Sequence, residues 1–148
     1  LPGDKLLRYV PNTNHSLNGR YLNDDLISYF YRIINDIDMP TLKWELSDNN
    51  LNVVLDYEGN YNVSIWNAKN QNGRDFRLWQ EGELWQKINI QKSNDNNYQV
   101  EIKDKSNGYE ATMMEFTIDP ESEFPLIIST GPFVIPESYP FIKYEPLK

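Results

Sequence analysis

The stretch Leu51-Asn52-Val53-Val54-Leu55-Asp56-Tyr57-Glu58-Gly59-Asn60-Tyr61-Asn62-Val63-Ser64-Ile65-Trp66-Asn67-Ala68 decides the fold. It holds two runs rich in β-branched and aromatic residues, with Glu58-Gly59-Asn60 between them. Each run alternates, because successive side chains leave a strand on opposite faces and only one face meets a core. The same texture continues outward. Residues 41–46, 51–57, 61–68, 75–79, 84–90, 98–103, 109–118 and 126–130 are strand candidates. Polar turns at Asn49-Asn50, Asn72-Gly73, Glu81-Gly82, 93–97 and Asn107-Gly108 separate most of them. Asn-Gly between strands favours a type I′ hairpin, whose two central residues need positive φ. Strands at this spacing, with no helix between them, predict an antiparallel β-sandwich of immunoglobulin or fibronectin type III shape over residues 40–148. The tail, 132–148, is rich in proline and aromatics and is expected to run extended along a sandwich edge, since Pro136, Pro140 and Pro146 cannot donate ladder hydrogen bonds.

The residues before Pro40 read differently. Residues 5–10 form a short apolar run, a strand candidate. Residues 20–37 have helical spacing, with Leu22, Leu26, Phe30, Ile33 and Ile37 on one face. Asp24 and Asp25 fall in the early turns, where carboxylates suit the positive end of the helix dipole. Met39-Pro40 is expected to end the helix, because the residue before proline is pushed out of the α region.

Composition excludes several function classes. The net charge of -8 argues against a phosphate footprint, which needs clustered Lys and Arg, and so against nucleic acid and anionic membranes. No apolar run approaches the roughly 20 residues of a membrane span. With no cysteine, disulfides and thiolate metal sites are excluded. Residues 1–17 lack the charged and apolar regions of a signal peptide, and a start at Leu1 without Met is expected to be a processed or chosen boundary.

The single histidine, His15, follows a short apolar run and a polar turn and precedes a helix. In α/β-hydrolases the catalytic base stands in that setting, last in the order nucleophile, acid, histidine. No G-x-S-x-G occurs in the chain, and the adjacent Ser16 is expected to serve the turn. Trp44, Trp66, Trp79 and Trp85 admit a sugar-stacking platform, but Trp44 alternates with Leu42 and Leu46, and Trp66 with Ser64 and Ala68, as inward positions of half-buried strands do. Arg74-Asp75-Phe76-Arg77 reads as a salt-bridged strand start, or as an anion or interdomain clamp. Asp56/Glu58/Asn60 and Asp95/Asn96/Asn97 offer oxygen ligands without EF-hand spacing and read as solvated turns. Asn14-His15-Ser16 and Asn62-Val63-Ser64 match the glycosylation acceptor pattern. No metal or cofactor is expected.

Several strings together resemble the PhoPQ-activated pathogenicity-related proteins. They are Leu7-Arg8-Tyr9-Val10-Pro11-Asn12-Thr13-Asn14-His15-Ser16-Leu17 with Pro2-Gly3 ahead of it, Val63-x-x-Trp66-x-Ala68 and Arg74-Asp75-Phe76-Arg77. Gly108-Tyr109-x-Ala111, Glu115-Phe116-Thr117 and Thr130-Gly131-Pro132-Phe133-Val134-Ile135-Pro136 complete the set, so the resemblance runs over nearly the whole chain. Met113-Met114 departs from it, where more aromatic character is expected. The resemblance implies bacterial, often exported proteins with an α/β-hydrolase-like domain followed by a β-sandwich. It places the end of the first domain at residues 1–39 (last strand, histidine loop, last helix) and the sandwich at 40–148. The family's histidine maps onto His15, and its serine and acid are expected upstream of Leu1.

Two functions follow as expectations. One is an accessory module of a serine hydrolase, inert by itself, whose partner is its own hydrolase-like domain. The other is a non-catalytic module that recognises a glycan or a surface protein. The apolar face of helix 20–37 is expected to pack on the sandwich or to form a homodimer, because an exposed patch of that size is unfavourable.

Overall fold

The computed structural model describes residues 5–17, 22–102 and 108–138. In chain order the elements are α1 (Leu22–Ile34), β1 (Thr41–Ser47), β2 (Asn50–Asp56), β3 (Tyr61–Asn70), α2 (Leu78–Glu81), β4 (Gln86–Ile90), β5 (Asn97–Glu101), β6 (Tyr109–Ile118), β7 (Leu126–Ser129) and β8 (Phe133–Ile135). The protein is mainly β. One antiparallel sheet has the order β1-β2-β5. The other has the order β4-β3-β6-β7, with β8 pairing the other half of β6.

The two sheets meet across a shared core. Leu51, Val53 and Leu55 of β2 and Tyr98 of β5 pack with Tyr61, Val63, Met114, Phe116 and Ile118 from the facing sheet. The Tyr98 and Phe116 rings meet edge-on, with centroids 5.5 Å apart. Burying each large apolar side chain stabilises the fold by roughly 1.5–3 kcal/mol. The alternation of 51–57 therefore reports a real inner face. β3 and β6 are ten residues each and paired along their full length. β6 is buried on both faces from Ala111 to Phe116. Met114 and Phe116 point into the inter-sheet core, while Met113, Ala111 and Ala68 are buried on the opposite face. Trp66 pairs with Met113 in register and shares that opposite face, with Ser64 and Ala68 beside it. The inward position expected for Trp66 is corrected accordingly.

Turn chemistry differs from the expected positions. The two-residue hairpin with both central residues at positive φ is Asp48-Asn49, at 51° and 61°, closing the Ser47–Asn50 pair. Asn72-Gly73 has no left-handed residue and makes no I′ hairpin. Instead Asn70 closes that loop, donating from Nδ2 to the Asp75 carbonyl at 2.7 Å and accepting from the Asn72 N–H at 2.9 Å. Gly108 is required by its setting. Its φ is 100°, and a Cβ there would stand 2.5 Å from the Asn70 carbonyl oxygen. Asn107 lies outside the described residues.

Three expected elements change. Residues 75–79 are not a strand. The Asp75 carboxylate accepts the Arg77 N–H at 3.1 Å, a local turn that competes with a ladder and leads into the short α2. Residues 5–10 are extended but form no ladder of their own. The Ser129 N–H donates to the Leu7 carbonyl at 2.8 Å, but the Tyr9 N–H is taken by the Ser129 hydroxyl at 2.8 Å, so backbone pairing stops after one bond. The segment still covers the outer edge of β7, as edge protection requires. In the tail, 133–135 join the sheet as β8, and residues beyond 138, including Pro140 and Pro146, lie outside the described residues.

Helix α1 ends at Ile34, before Met39-Pro40. Asp36 takes a left-handed φ of 53°, the Ile37 N–H donates to the Arg32 carbonyl at 2.9 Å, and the Asp36 N–H to the Ile33 carbonyl at 3.3 Å. These two bonds are a Schellman cap, which satisfies the last carbonyls without help from proline. The helix does pack on the sandwich, but through its other face. Ser28 is fully buried and donates to the Phe124 carbonyl at 2.9 Å. Arg32 is buried beside Asp119 and Tyr57. Asp25 pairs with Arg8, and Tyr29 packs against the core. Of the expected apolar stripe, Leu26, Phe30 and Ile33 point outward and Ile37 is half-buried, while the side chain of Leu22 lies outside the described residues; Ile34 joins the outward face. Leu26, Phe30, Ile33 and Ile34 are exposed, Ile34 to 79 %. The polar stripe wins because it offers carboxylate, hydroxyl and guanidinium partners to exposed carbonyls and charges at the β7 end of the sandwich.

Candidate functional site

His15 lies on a loop built by its asparagines. The chain passes β7 at Leu7 and Tyr9, then reaches Asn12, whose φ is 51°. Asparagine is among the residues that best tolerate the left-handed region. Its amide makes a two-way clamp on one residue across the structure. Nδ2 donates to the Trp85 carbonyl at 2.8 Å, and the Trp85 N–H donates to Oδ1 at 3.1 Å. Trp85 stands just before β4 and packs its ring 6.0 Å from Phe76.

Two residues on, Asn14 closes a tight turn. Its Oδ1 accepts the Ser16 N–H at 3.1 Å and the Ser16 hydroxyl at 2.7 Å, and its carbonyl accepts the Leu17 N–H at 3.0 Å. His15 sits inside that turn and is exposed. Among the described residues it makes no hydrogen bond or ion pair. Ser16 serves the turn, and its hydroxyl is directed at Asn14. The loop presents a bare imidazole to its surroundings. Such a group can accept or donate a proton once a nucleophile and an orienting carboxylate are brought to it.

On the strap that leads to the loop, Arg8 pairs with Asp25 and faces Glu115. Burial pulls the Arg8 guanidinium below its ordinary range, and the two acids Glu115 and Asp24 oppose that shift. Glu115 is itself buried and accepts from Lys87 Nζ at 2.7 Å.

A cleft of about 890 Å³ opens beside the Asn12–Trp85 clamp, between Tyr9, Arg74, Phe76, Arg77, Trp85 and Pro132. Arg74 Nη2 donates to the Val134 carbonyl at 3.4 Å, tying the loop to β8. Arg77 is held by Asp75, through Nε at 2.8 Å, and its guanidinium lies 5.0 Å from the exposed Trp79 ring. The four tryptophans do not share one face. Trp44 packs against the inter-sheet core, Trp66 lies on the opposite face of the second sheet, and Trp79 and Trp85 flank the Arg74–Arg77 loop. The Asp95–Asn97 cluster is used within its turn. Asp95 accepts the Asn97 N–H at 3.2 Å, and Asn96 bridges Tyr61 and the Tyr57 carbonyl. Among the described residues no His, Cys, Asp or Glu side chains are grouped as three or more around a metal position. No helix among the described residues is long and apolar enough to cross a membrane. Sequence reasoning missed Asn12. Its only signal was an asparagine three residues ahead of the histidine, and nothing local shows that its partner lies 73 positions away.

The family described as PhoPQ-activated pathogenicity-related protein matches residues 1–77. That span holds the histidine loop, α1, the first three strands and the Arg74–Arg77 string. The similar strings at 108–117 and 130–136 lie outside it. No curated protein and no solved structure matches the chain. The matched span covers more than half of the 148 residues, and the chain belongs to the PhoPQ-activated pathogenicity-related protein family.

Proposed function

We propose that this chain is the C-terminal part of an exported α/β-hydrolase-like protein of bacterial virulence, with His15 as the general base of a serine triad. Residues 1–39 close the hydrolase-like domain, and residues 40–148 form an immunoglobulin- or fibronectin-III-like accessory sandwich. The observation that carries the reading is His15 itself, exposed at a turn within the span the family matches. The serine and the acid stand upstream of Leu1. In the longer protein His15 takes the serine proton as the hydroxyl attacks an acyl carbon, then returns it to the leaving group. On this reading the 148-residue chain is inert by itself, because the nucleophile and the oxyanion hole belong to the upstream part of the protein.

The outward stripe of α1 supports the same reading. Leu26, Phe30, Ile33 and Ile34 form an apolar face that the sandwich leaves uncovered, and the upstream hydrolase-like domain is its occupant. A second copy of the chain seated there is the competing outcome, read by sedimentation equilibrium. The deciding experiment is fluorophosphonate labelling of the longer protein and its His15→Ala variant. Labelling lost in the variant supports the base assignment. A folded parent that takes no label overturns it.

A second reading rests on the cleft at Trp85. Its lining combines Tyr9, Phe76 and Trp85 with Arg74, Arg77 and Gln80, a mixture suited to the faces and hydroxyls of a sugar. Quenching of tryptophan fluorescence by oligosaccharides, lost in Trp85→Ala, is the test of this binding-module reading.

A further inference from the structure

We infer that Asn12 is the positioning residue for His15, and that the β-sandwich is the mount that holds the histidine in place. The inference rests on the reading of His15 as a base and adds how its place is set. A histidine on an exposed loop wanders unless something fixes the backbone near it, and a base misplaced by about 1 Å can cost on the order of 100-fold in rate.

Three features make Asn12 the fixing point. Its amide pairs with the Trp85 N–H and carbonyl together, as a peptide group would in a sheet. No shorter or unbranched apolar side chain supplies both a donor and an acceptor. Its φ of 51° turns the chain at that point, a conformation asparagine accepts more readily than most residues. Only Thr13 and Asn14 separate it from His15, and Asn14 is committed to closing the turn. The free path between clamp and imidazole is therefore short. The far side of the clamp is firm, since Trp85 leads directly into β4, and β4 pairs with β3 over five residues. The upstream side is held independently at Ser129. Removing the amide leaves the strap in place to Tyr9 and frees the loop beyond it.

The chain has no cysteine, so spin labels introduced at His15→Cys and at the exposed Lys43→Cys are unique. Pulsed electron–electron distances between them report where the loop tip stands. Asn12→Gly keeps the left-handed backbone accessible and removes the amide. It should widen the distance distribution about twofold while the melting temperature shifts little. Asn12→Asp keeps the acceptor for the Trp85 N–H and should fall between. An unchanged distribution in folded Asn12→Gly overturns the inference, as does a broad distribution with Asn12 in place. Should Asn12→Gly not fold, Asn12→Asp decides by the same criterion. In the longer protein Asn12→Gly should slow serine labelling about 10-fold or more. The distance measurement needs no activity. A parent that takes no label removes the catalytic reading, and the distances still decide whether Asn12 fixes the loop.

Discussion

Arg32 Nη1 donates to Asp119 Oδ2 at 2.8 Å, joining residues 87 positions apart. Arg32 is only 2 % exposed, and Tyr57 completes the group by donating to the same carboxylate oxygen at 2.6 Å. Arg32 Nε also donates to the Asp38 carbonyl at 3.2 Å, so the guanidinium fork binds α1 both to its own exit and to the corner after β6. Burial lowers the Arg32 pKa, and the hydrogen bonds to Asp119 and Tyr57 outweigh it, so the net shift is upward.

Breaking this group should be costly. Asp119→Asn should destabilise the chain by about 3 kcal/mol, because it strips the buried Arg32 guanidinium of its counter-charge, and Arg32→Ala by about 2 kcal/mol, because the Asp119 it leaves behind is partly exposed. Tyr57→Phe should cost about 1 kcal/mol. Arg32→Lys should recover little, since one ammonium cannot replace a fork that serves a carbonyl and a carboxylate together. Urea unfolding midpoints at constant m-value check the order.

The outward stripe of α1 predicts the reverse behaviour. Phe30→Ser and Ile34→Glu should each change the stability of this chain by no more than about 0.5 kcal/mol, because neither side chain is buried here. In the longer protein the same changes should lower the melting temperature and weaken the joint between its parts. Equal stability losses in both settings would show that the stripe has no further partner.

Asp75 should titrate well below the ordinary carboxylate range. Its hydrogen bonds from Arg77 hold the carboxyl at about 2, against 3.8 for an unperturbed aspartate. A depressed folded-state value means that the stability it contributes is present above about pH 4 and is lost as the pH falls toward 2. Arg77 is exposed and Asp75 only half-buried, so the contribution to stability is small and weakens with salt. Carboxyl-carbon NMR should give a midpoint near 2, moving up in Arg77→Ala. Asp95, held at about 2 chiefly by the Ser93 hydroxyl, should not respond to that substitution.

Gly108→Ala should destabilise by about 1–3 kcal/mol, since its backbone is left-handed and a Cβ would strike the Asn70 carbonyl. Gly73→Ala, with open space around it and an ordinary φ, should be close to neutral. The contrast between the two glycines can be read from a pair of thermal melts.

The long strands were legible because each has one face in the core. The alternation at 51–57 and 61–68 is the imprint of Leu51, Val53, Leu55, Tyr61 and Val63 packing between two sheets. Legibility failed where local polar chemistry overrode pattern. Asp75 captured the backbone of a segment that reads as a strand, and the Ser129 hydroxyl took the N–H that would have continued a ladder at Tyr9. The helix was legible as a helix, while its orientation was not. Periodicity reports which residues share a face, and the partner of that face is a separate matter. In α1, Asp25 found its partner in Arg8 of the strap, and Ser28 and Arg32 found theirs on the sandwich. The histidine was easy to single out, and its mount at Trp85 was invisible, because contacts between residues 73 positions apart leave no local trace.

The strap from Leu7 to Tyr9 meets Ser129, a contact that spans 120 positions between its hydrogen-bonded residues. On a ribosome the strap emerges before every strand of the two sheets, and β7 follows about 120 residues later, so the strap waits through the synthesis of that span for its neighbour. Contacts of such long sequence separation form late in folding, after nearby pairs have already closed. A nascent chain stopped short of residue 129 would hold most of its β-structure and have its histidine loop unmoored at one end. Whether β7 has been made and docked is thus read out at the strap, and protection of the Tyr9 amide from solvent exchange becomes its clock.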